Sequence, residues 1–154
     1  MAKRSPELDR DKLAEAAEVC ACFNFRKASR AVTQLFDQML QQVGLRSTQF
    51  VVMVAIHLQE PVSPSALSQM LVLDRSTLSR NLKPLEQERL VRIQGGQRRQ
   101  SHKISLTAKG RKLVAQAMPL WEKAQNQFVD QMGADTWSMM LRGLRAAVNA
   151  TRSE

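Results

Sequence analysis

The sequence predicts a mainly α-helical chain that carries one small β-hairpin. Three observations predict it. Apolar residues recur at helical spacing through most of the 154 residues. That period gives way once, between Leu90 and Leu106, to two short strand-like runs around Gly95-Gly96. Ser, Thr or Asp stands at the head of one periodic stretch after another, where a helix start needs a side-chain acceptor.

The first stretch runs from about Asp9 to Val43. Cys22, Phe25 and Ala28 lead into Val32, Leu35, Phe36, Met39, Leu40 and Val43 as one stripe, and Gly44 is its expected stop. A single helix of roughly 30 residues would be about 45 Å long, more than one small domain covers, so it needs a partner chain. Ser47 is the expected N-cap of the second helix, which places Phe50, Met53, Val54, His57 and Leu58 on one face. Glu60 to Pro64 breaks the chain. Ser63 then caps a short third helix with Pro64 in its first turn and Ala66, Leu67, Met70 and Leu71 inward.

Val72-Leu73 forms a turn, and Asp74 caps the fourth helix, Arg75 to about Glu88. Leu78, Leu82 and Leu85 are its buried stripe, and Pro84 should bend it. Leu90 to Gln94 and Ser101 to Leu106 read as strands joined by the basic loop Gly95 to Gln100. Thr107 caps a long helix with Leu113, Ala117, Leu120, Trp121, Ala124 and Phe128 on one side and a kink expected at Pro119. Gly133 ends it, and Asp135 is the expected cap of a last helix striped by Trp137, Met140, Leu141, Leu144 and Val148.

Charge narrows the function. Lys and Arg outnumber Asp and Glu by 23 to 14, a net charge of +9. Such an excess favours a polyanion, nucleic acid first and an anionic membrane second. The longest apolar run, Phe50 to Ile56, is far too short for a bilayer span. The start Met1-Ala-Lys-Arg-Ser-Pro leads into charged sequence without the apolar stretch of a signal peptide. The expected location is the cytoplasm, with no membrane partner. Two cysteines cannot build a disulfide scaffold. Aromatics at 5%, with no tyrosine, speak against carbohydrate platforms.

Helix, helix, turn, helix and hairpin is the order of a winged helix-turn-helix. A helix that enters the major groove needs an apolar back and a polar, cationic front. Residues 75–87 supply both: Arg75, Ser76, Thr77, Ser79, Arg80 and Lys83 form the outward stripe, with Gln87 beside them. Arginine pairs bidentately with guanine, and serine or threonine reaches base edges or phosphates. The hairpin offers Gln97, Arg98, Arg99 and Lys103, cations suited to the electronegative minor groove. Residues 45–110 hold ten Lys/Arg against four Asp/Glu, which is +6 of the +9.

The words themselves resemble a family. Gly44-Leu45, Thr48-Gln49-Phe50, Leu67-Ser68, Leu71, Leu73-Asp74-Arg75-Ser76-Thr77-Leu78-Ser79-Arg80, Leu82, Leu85-Glu86, Leu90-Val91, Leu106-Thr107 and Gly110 follow one another as in the MarR family of bacterial transcriptional regulators. The resemblance covers roughly residues 20–150. It implies a homodimer whose terminal helices interlock, two recognition helices on a pseudo-palindromic operator, and release by a small aromatic or phenolic effector held between the dimerisation helices and the winged domain. The implied organisation is residues 1–44 as an N-terminal dimerisation helix, 45–110 as the winged domain and 111–154 as the remaining dimerisation helices. Three positions depart from the family pattern. The wing's usual Asp-x-Arg is replaced by Arg98 and Gln100. Arg89 stands where a glycine commonly precedes Leu-Val. Arg46 replaces a capping threonine.

Cys20 and Cys22, two apart on one helix, would point roughly 200° from each other. That geometry disfavours a metal site or a bridge between them. Cys22, followed by Phe23, is similar to the reactive cysteine of the family's peroxide-sensing branch, and Arg26 one turn on would favour its thiolate. The tyrosines that hold the thiolate in that branch have no counterpart here, and Cys22 also reads as a small core residue. His57 reads as a core histidine and His102 as a phosphate neighbour. Trp121 and Trp137 read as dimer core. No metal, no cofactor and no enzymatic activity are expected: no nucleophile elbow, phosphate loop or acid–base pair is present in the sequence. The expectation is a repressor that binds a double-stranded DNA operator as a homodimer. Its alternatives are a thiol-based peroxide sensor acting through Cys22 and a non-specific architectural DNA-binding protein.

Overall fold

The structure, a computed structural model, describes residues 8–95 and 102–151. The chain forms two compact units, Met1–Leu35 and Phe36–Glu154. The fold class is as expected: seven helices and one antiparallel hairpin among the described residues.

In the first unit the expected single helix is two. Helix α1 spans Arg10–Val19 and α2 begins at Ala21 and runs to Leu40, across the boundary of the units. Cys20 between them is extended, at φ −64° and ψ 113°. Asn24 explains the break. Its side-chain amide donates at 2.9 Å to the Glu18 carbonyl, an acceptor that a continuous helix would satisfy with its own N–H, and at 3.0 Å to the Cys20 carbonyl, which also keeps its helical bond from the Asn24 N–H. Asp9 caps α1 by accepting from the Asp11 and Lys12 N–H groups.

In the second unit, α2 tightens into a 3-10 turn, Gln41–Val43, and ends at Gly44, whose φ of 73° is left-handed as the stop requires. Helix α3 is Ser47–Gln59. Its N-cap is Arg46, not the expected Ser47. A carboxylate from another helix does the capping: Asp37 Oδ1 accepts from the Ser47 N–H at 2.6 Å, while Gln49 accepts from the Arg46 N–H. The inward face of α3 also differs from expectation. Phe50, Val52, Met53, Ala55 and Ile56 are buried, whereas Leu58 is exposed. The run is apolar almost all round, so its periodicity could not mark the inner side.

Helix α4, Pro64–Leu71, is capped by Ser63 as expected, and Asp74 caps α5, Arg75–Gln87, which continues through Pro84. Between them Val72 is left-handed at φ 52°, an unusual state for a β-branched residue. Strands β1, Val91–Gln94, and β2, Lys103–Leu106, pair with Val91 opposite Leu106 and Ile93 opposite Ile104. Leu90 precedes β1 as a buried residue, and Ser101 lies outside the described residues. Val62, read only as part of a chain break, makes a two-bond bridge with Ile104 and so adds a third edge to the hairpin.

Helix α6, Ala108–Met132, is capped by Thr107 and is one element through Pro119. Helix α7 starts at Ala134, so Asp135 sits in its first turn and does not cap it. Phe128 and Trp137 meet edge to face, centroids 5.4 Å apart, and join the two helices. The core gathers Leu40, Phe50, Met53, Ile56, Leu67, Leu78, Leu85, Leu90, Ile104, Leu106 and Ala117.

Two backbone constraints sit where α5 passes into the hairpin and the hairpin into α6. Arg89, at the position where the family pattern has glycine, is left-handed at φ 58°. Gly110 packs against the chain opposite: a Cβ there would lie 2.1 Å from the Leu90 carbonyl oxygen. Replacing Gly110 by Ala is expected to lower stability by about 2–3 kcal/mol, because the obstacle is backbone and cannot swing away. Arg89→Gly is expected to raise it by about 0.5–1 kcal/mol through relief of left-handed strain. Chemical denaturation of the two variants beside the wild type checks both signs.

Candidate nucleic-acid interface

The expected stripe is on the outside of α5. Arg75, Ser76, Ser79, Arg80 and Lys83 are exposed and Thr77 is half-buried, while Leu78, Leu82 and Leu85 anchor the opposite side in the core. The stripe is ordered by a residue that sequence reasoning treated only as a cap. Asp74 Oδ1 accepts from the Thr77 N–H at 2.7 Å and from the Ser76 hydroxyl at 2.6 Å. Its Oδ2 accepts from the Thr77 hydroxyl at 2.7 Å. Arg80 Nη2 donates to that same Thr77 oxygen at 3.0 Å. These bonds, led by the Ser76 hydroxyl and then the Thr77 hydroxyl and N–H, hold the Asp74 carboxyl far below the ordinary carboxylate range.

The wing is placed by its strands. Val91, Ile93, Ile104 and Leu106 turn inward, so Arg92, Gln94, Lys103 and Ser105 face out, with Lys103 opposite Gln94. Arg92 was missed, although the alternation of Val91 and Ile93 around it is a strand signal. Gln97, Arg98 and Arg99 lie outside the described residues. Lys109 donates to the Glu88 carbonyl at 2.8 Å and staples the end of α5 to the start of α6.

The wing root is tied down by Glu60, which sequence reasoning also missed. Its Oε2 accepts from the Leu106 N–H of β2 at 2.8 Å, and its Oε1 pairs with Arg111 of α6 at 2.5 Å. His57 Nδ1 lies 3.3 Å from Oε1. Burial alone would push the Glu60 carboxyl up. The Leu106 N–H, His57 and Arg111 outweigh it and hold the carboxyl below its usual range. His57 itself is 52% exposed by side chain and is not the core residue expected. It sits one turn before a buried-facing carboxylate, which draws it to the rim. The Thr107 hydroxyl adds a further tie by donating to the Arg89 carbonyl at 2.7 Å.

Two adjoining apolar cavities open between α3 and α6. One, of about 350 Å³, is lined by Phe50, Val51, Leu58, Met70, Met118 and Trp121 among others. The other, of about 420 Å³, includes Val54, Leu106, Val114 and Met118, with His57 and Arg111 as its polar members. Cys20 and Cys22 are both exposed in the single chain, so Cys22 does not occupy the core position its stripe implied. Among the described residues no group of three His, Cys, Asp or Glu side chains is placed to hold a metal, and no helix is long and apolar enough to cross a membrane.

Known proteins share this arrangement. The sequence profile of the MarR family matches residues 43–100. The transcriptional regulator MosR of M. tuberculosis is 34% identical, with a TM-score of 0.77 over 88% of this chain and 97% of MosR. This chain belongs to the MarR family. The HTH-type transcriptional regulator SarZ of Staphylococcus epidermidis is 28% identical over 108 residues, 70% of this chain and 73% of SarZ. A structure of MosR in complex with DNA matches at 33% identity and a TM-score of 0.75, over 87% of this chain and 99% of MosR. This MarR-family protein is therefore a transcriptional regulator with a winged-helix fold.

Glu60 makes the stability of the wing root depend on pH. A carboxyl held low in the folded state stabilises fully above its unfolded pKa, about 4.3, and loses that contribution as pH falls through its lower folded value. Glu60→Gln is expected to cost about 2 kcal/mol at pH 7, the scale of a hydrogen bond to a charged group. The gap between variant and wild-type melting temperatures should close from pH 5 to pH 3.

Proposed function

We propose that this protein is a cytoplasmic repressor that binds a pseudo-palindromic operator as a homodimer and leaves it when a small aromatic or phenolic effector binds. The observation that carries the reading is the exposed face of α5. Polar and cationic side chains stand on one side of a helix whose other side is locked into the core, and the first turn is held by Asp74. In this reading Arg75, Ser76, Thr77, Ser79, Arg80 and Lys83 meet the major groove. Gln97, Arg98, Arg99 and Lys103 follow the flanking minor groove. The winged domain is 45–110, with 1–44 and 111–154 forming the dimer. Support for the dimer is apolar surface left uncovered in one chain: Leu13, Phe23 and Phe25 at one end of the sequence, Met139 and Val148 at the other. Trp121 and Trp137, both half-buried, would complete their burial there. The two apolar cavities between α3 and α6 support an apolar effector.

Base-reading side chains on the stripe favour a specific regulator over an architectural protein, which would need only lysine and arginine. Fluorescence anisotropy on the protein's own upstream DNA, with random DNA as competitor, tests this. Specific binding is expected to outlast the competitor by about 10³-fold. Arg80→Ala is expected to lose roughly tenfold to a hundredfold in operator affinity while sedimenting as the same dimer. Unchanged affinity would remove α5 from the interface.

A thiol switch is the second reading, favoured by one observation. Cys20 lies outside both helices, so the helical geometry that would separate it from Cys22 does not hold, and both thiols are exposed. A peroxide that oxidises Cys22 is then expected to weaken operator binding by the wild type and leave Cys22→Ser unaffected. Equal responses in the two proteins would reject the switch.

A further inference from the structure

The hydrogen bonds around Asp74 do more than start a helix. A serine or threonine hydroxyl ordinarily reads DNA ambiguously, because it both donates and accepts. Here that ambiguity is removed. An ionised carboxylate only accepts, so the Ser76 and Thr77 hydroxyls, at 2.6 and 2.7 Å from Asp74, must spend their single protons on it. What Ser76 turns outward is then a lone pair. What Thr77 offers is also a lone pair, and Arg80 Nη2 takes it at 3.0 Å. Among the described residues the remaining guanidinium N–H groups of Arg80 meet no protein acceptor, and the side chain is exposed.

We propose that Asp74 sets the donor–acceptor polarity of the recognition surface: it makes Ser76 an obligate acceptor and, through Thr77, aims Arg80. This rests on α5 being the recognition helix. An acceptor in the major groove selects an exocyclic amine, adenine N6 or cytosine N4, and is repelled by guanine O6 and thymine O4. It is equally repelled by phosphate oxygens, so Ser76 reads a base and does not grip the backbone. Arg80, one turn on and on the same face, donates to guanine O6 and N7. Four residues of helix advance about 6 Å, so the two reading positions fall within about two base pairs of each other. The half-site therefore contains a guanine and, within that distance, an adenine or cytosine. Asp74 and Thr77 are positioning residues in this scheme, Ser76 and Arg80 the readers.

The experiment is selection of bound duplexes from a pool with a randomised core, run with the full-length protein and four variants. Asp74→Ser is the key variant: serine still caps the helix with its one oxygen on the Thr77 N–H, but the acceptor-only carboxylate is gone and the Ser76 and Thr77 protons are released. The wild type should show the guanine and the amine-bearing base, with discrimination on the order of tenfold at each. Asp74→Ser should lose the adenine-or-cytosine restriction. Thr77→Val, which cannot accept from Arg80, should weaken the guanine preference, and Thr77→Ser should restore it. Circular dichroism confirms that each variant is folded, and a loss of helix in Asp74→Ser leaves Thr77→Val and Thr77→Ser to decide. If Arg80→Ala alters the selected motif while Asp74→Ser and Thr77→Val return the wild-type motif, the polarity proposal is overturned and the recognition helix stands. If Arg80→Ala also returns the wild-type motif, both fall.

Discussion

The carboxylate of Glu60 joins three elements that lie far apart in sequence. It stands at the end of α3, accepts a backbone N–H from β2 and pairs with Arg111 on α6. Among the described residues the hairpin has two strands of four residues and one bridge to Val62, too little to hold its own position. Its placement therefore depends on ties at its root. Glu60 is the strongest of these because each of its bonds carries a full charge on at least one partner.

The same root imposes the backbone constraints found around it. For α5 to hand over to β1 the chain turns through a left-handed residue, and for α6 to start against β1 the backbones approach until only glycine fits at residue 110. Thr107 closes the arrangement twice over, as the cap of α6 and as a donor to the Arg89 carbonyl. The cavities between α3 and α6 adjoin this root: Leu106 and Arg111 line one of them and also take part in the Glu60 ties. A molecule entering that space would press on the contacts that position the wing.

At the other end of the winged region, order is supplied by a negative charge on a positive surface. Asp74 costs some attraction for a polyanion, yet it organises the first turn of α5 and orients the hydroxyls and the arginine beside it. The net charge of +9 supplies the general attraction, and the local carboxylate supplies geometry.

The sequence by itself determined the element order from α2 onward, the outward polar stripe of α5 and most of the caps. These follow from interactions within a few residues: Ser63, Asp74 and Thr107 each bond an N–H three positions on, and Leu78, Leu82 and Leu85 share a face by helical period alone. The strain at Arg89 was legible too, as a departure from a pattern that has glycine there. What lay beyond sequence reasoning involves partners distant along the chain or competition between local choices. Asp37 caps a helix ten residues away, Val62 pairs with Ile104, and Glu60 reaches across to residues 106 and 111. Asn24 takes the Glu18 carbonyl from the helix where the first stretch breaks at Cys20. In α3, apolar on nearly every side, only packing could select the buried face and leave His57 outside. Local periodicity says which residues can form an element; which side turns inward, and what charge waits there, is decided when the elements meet.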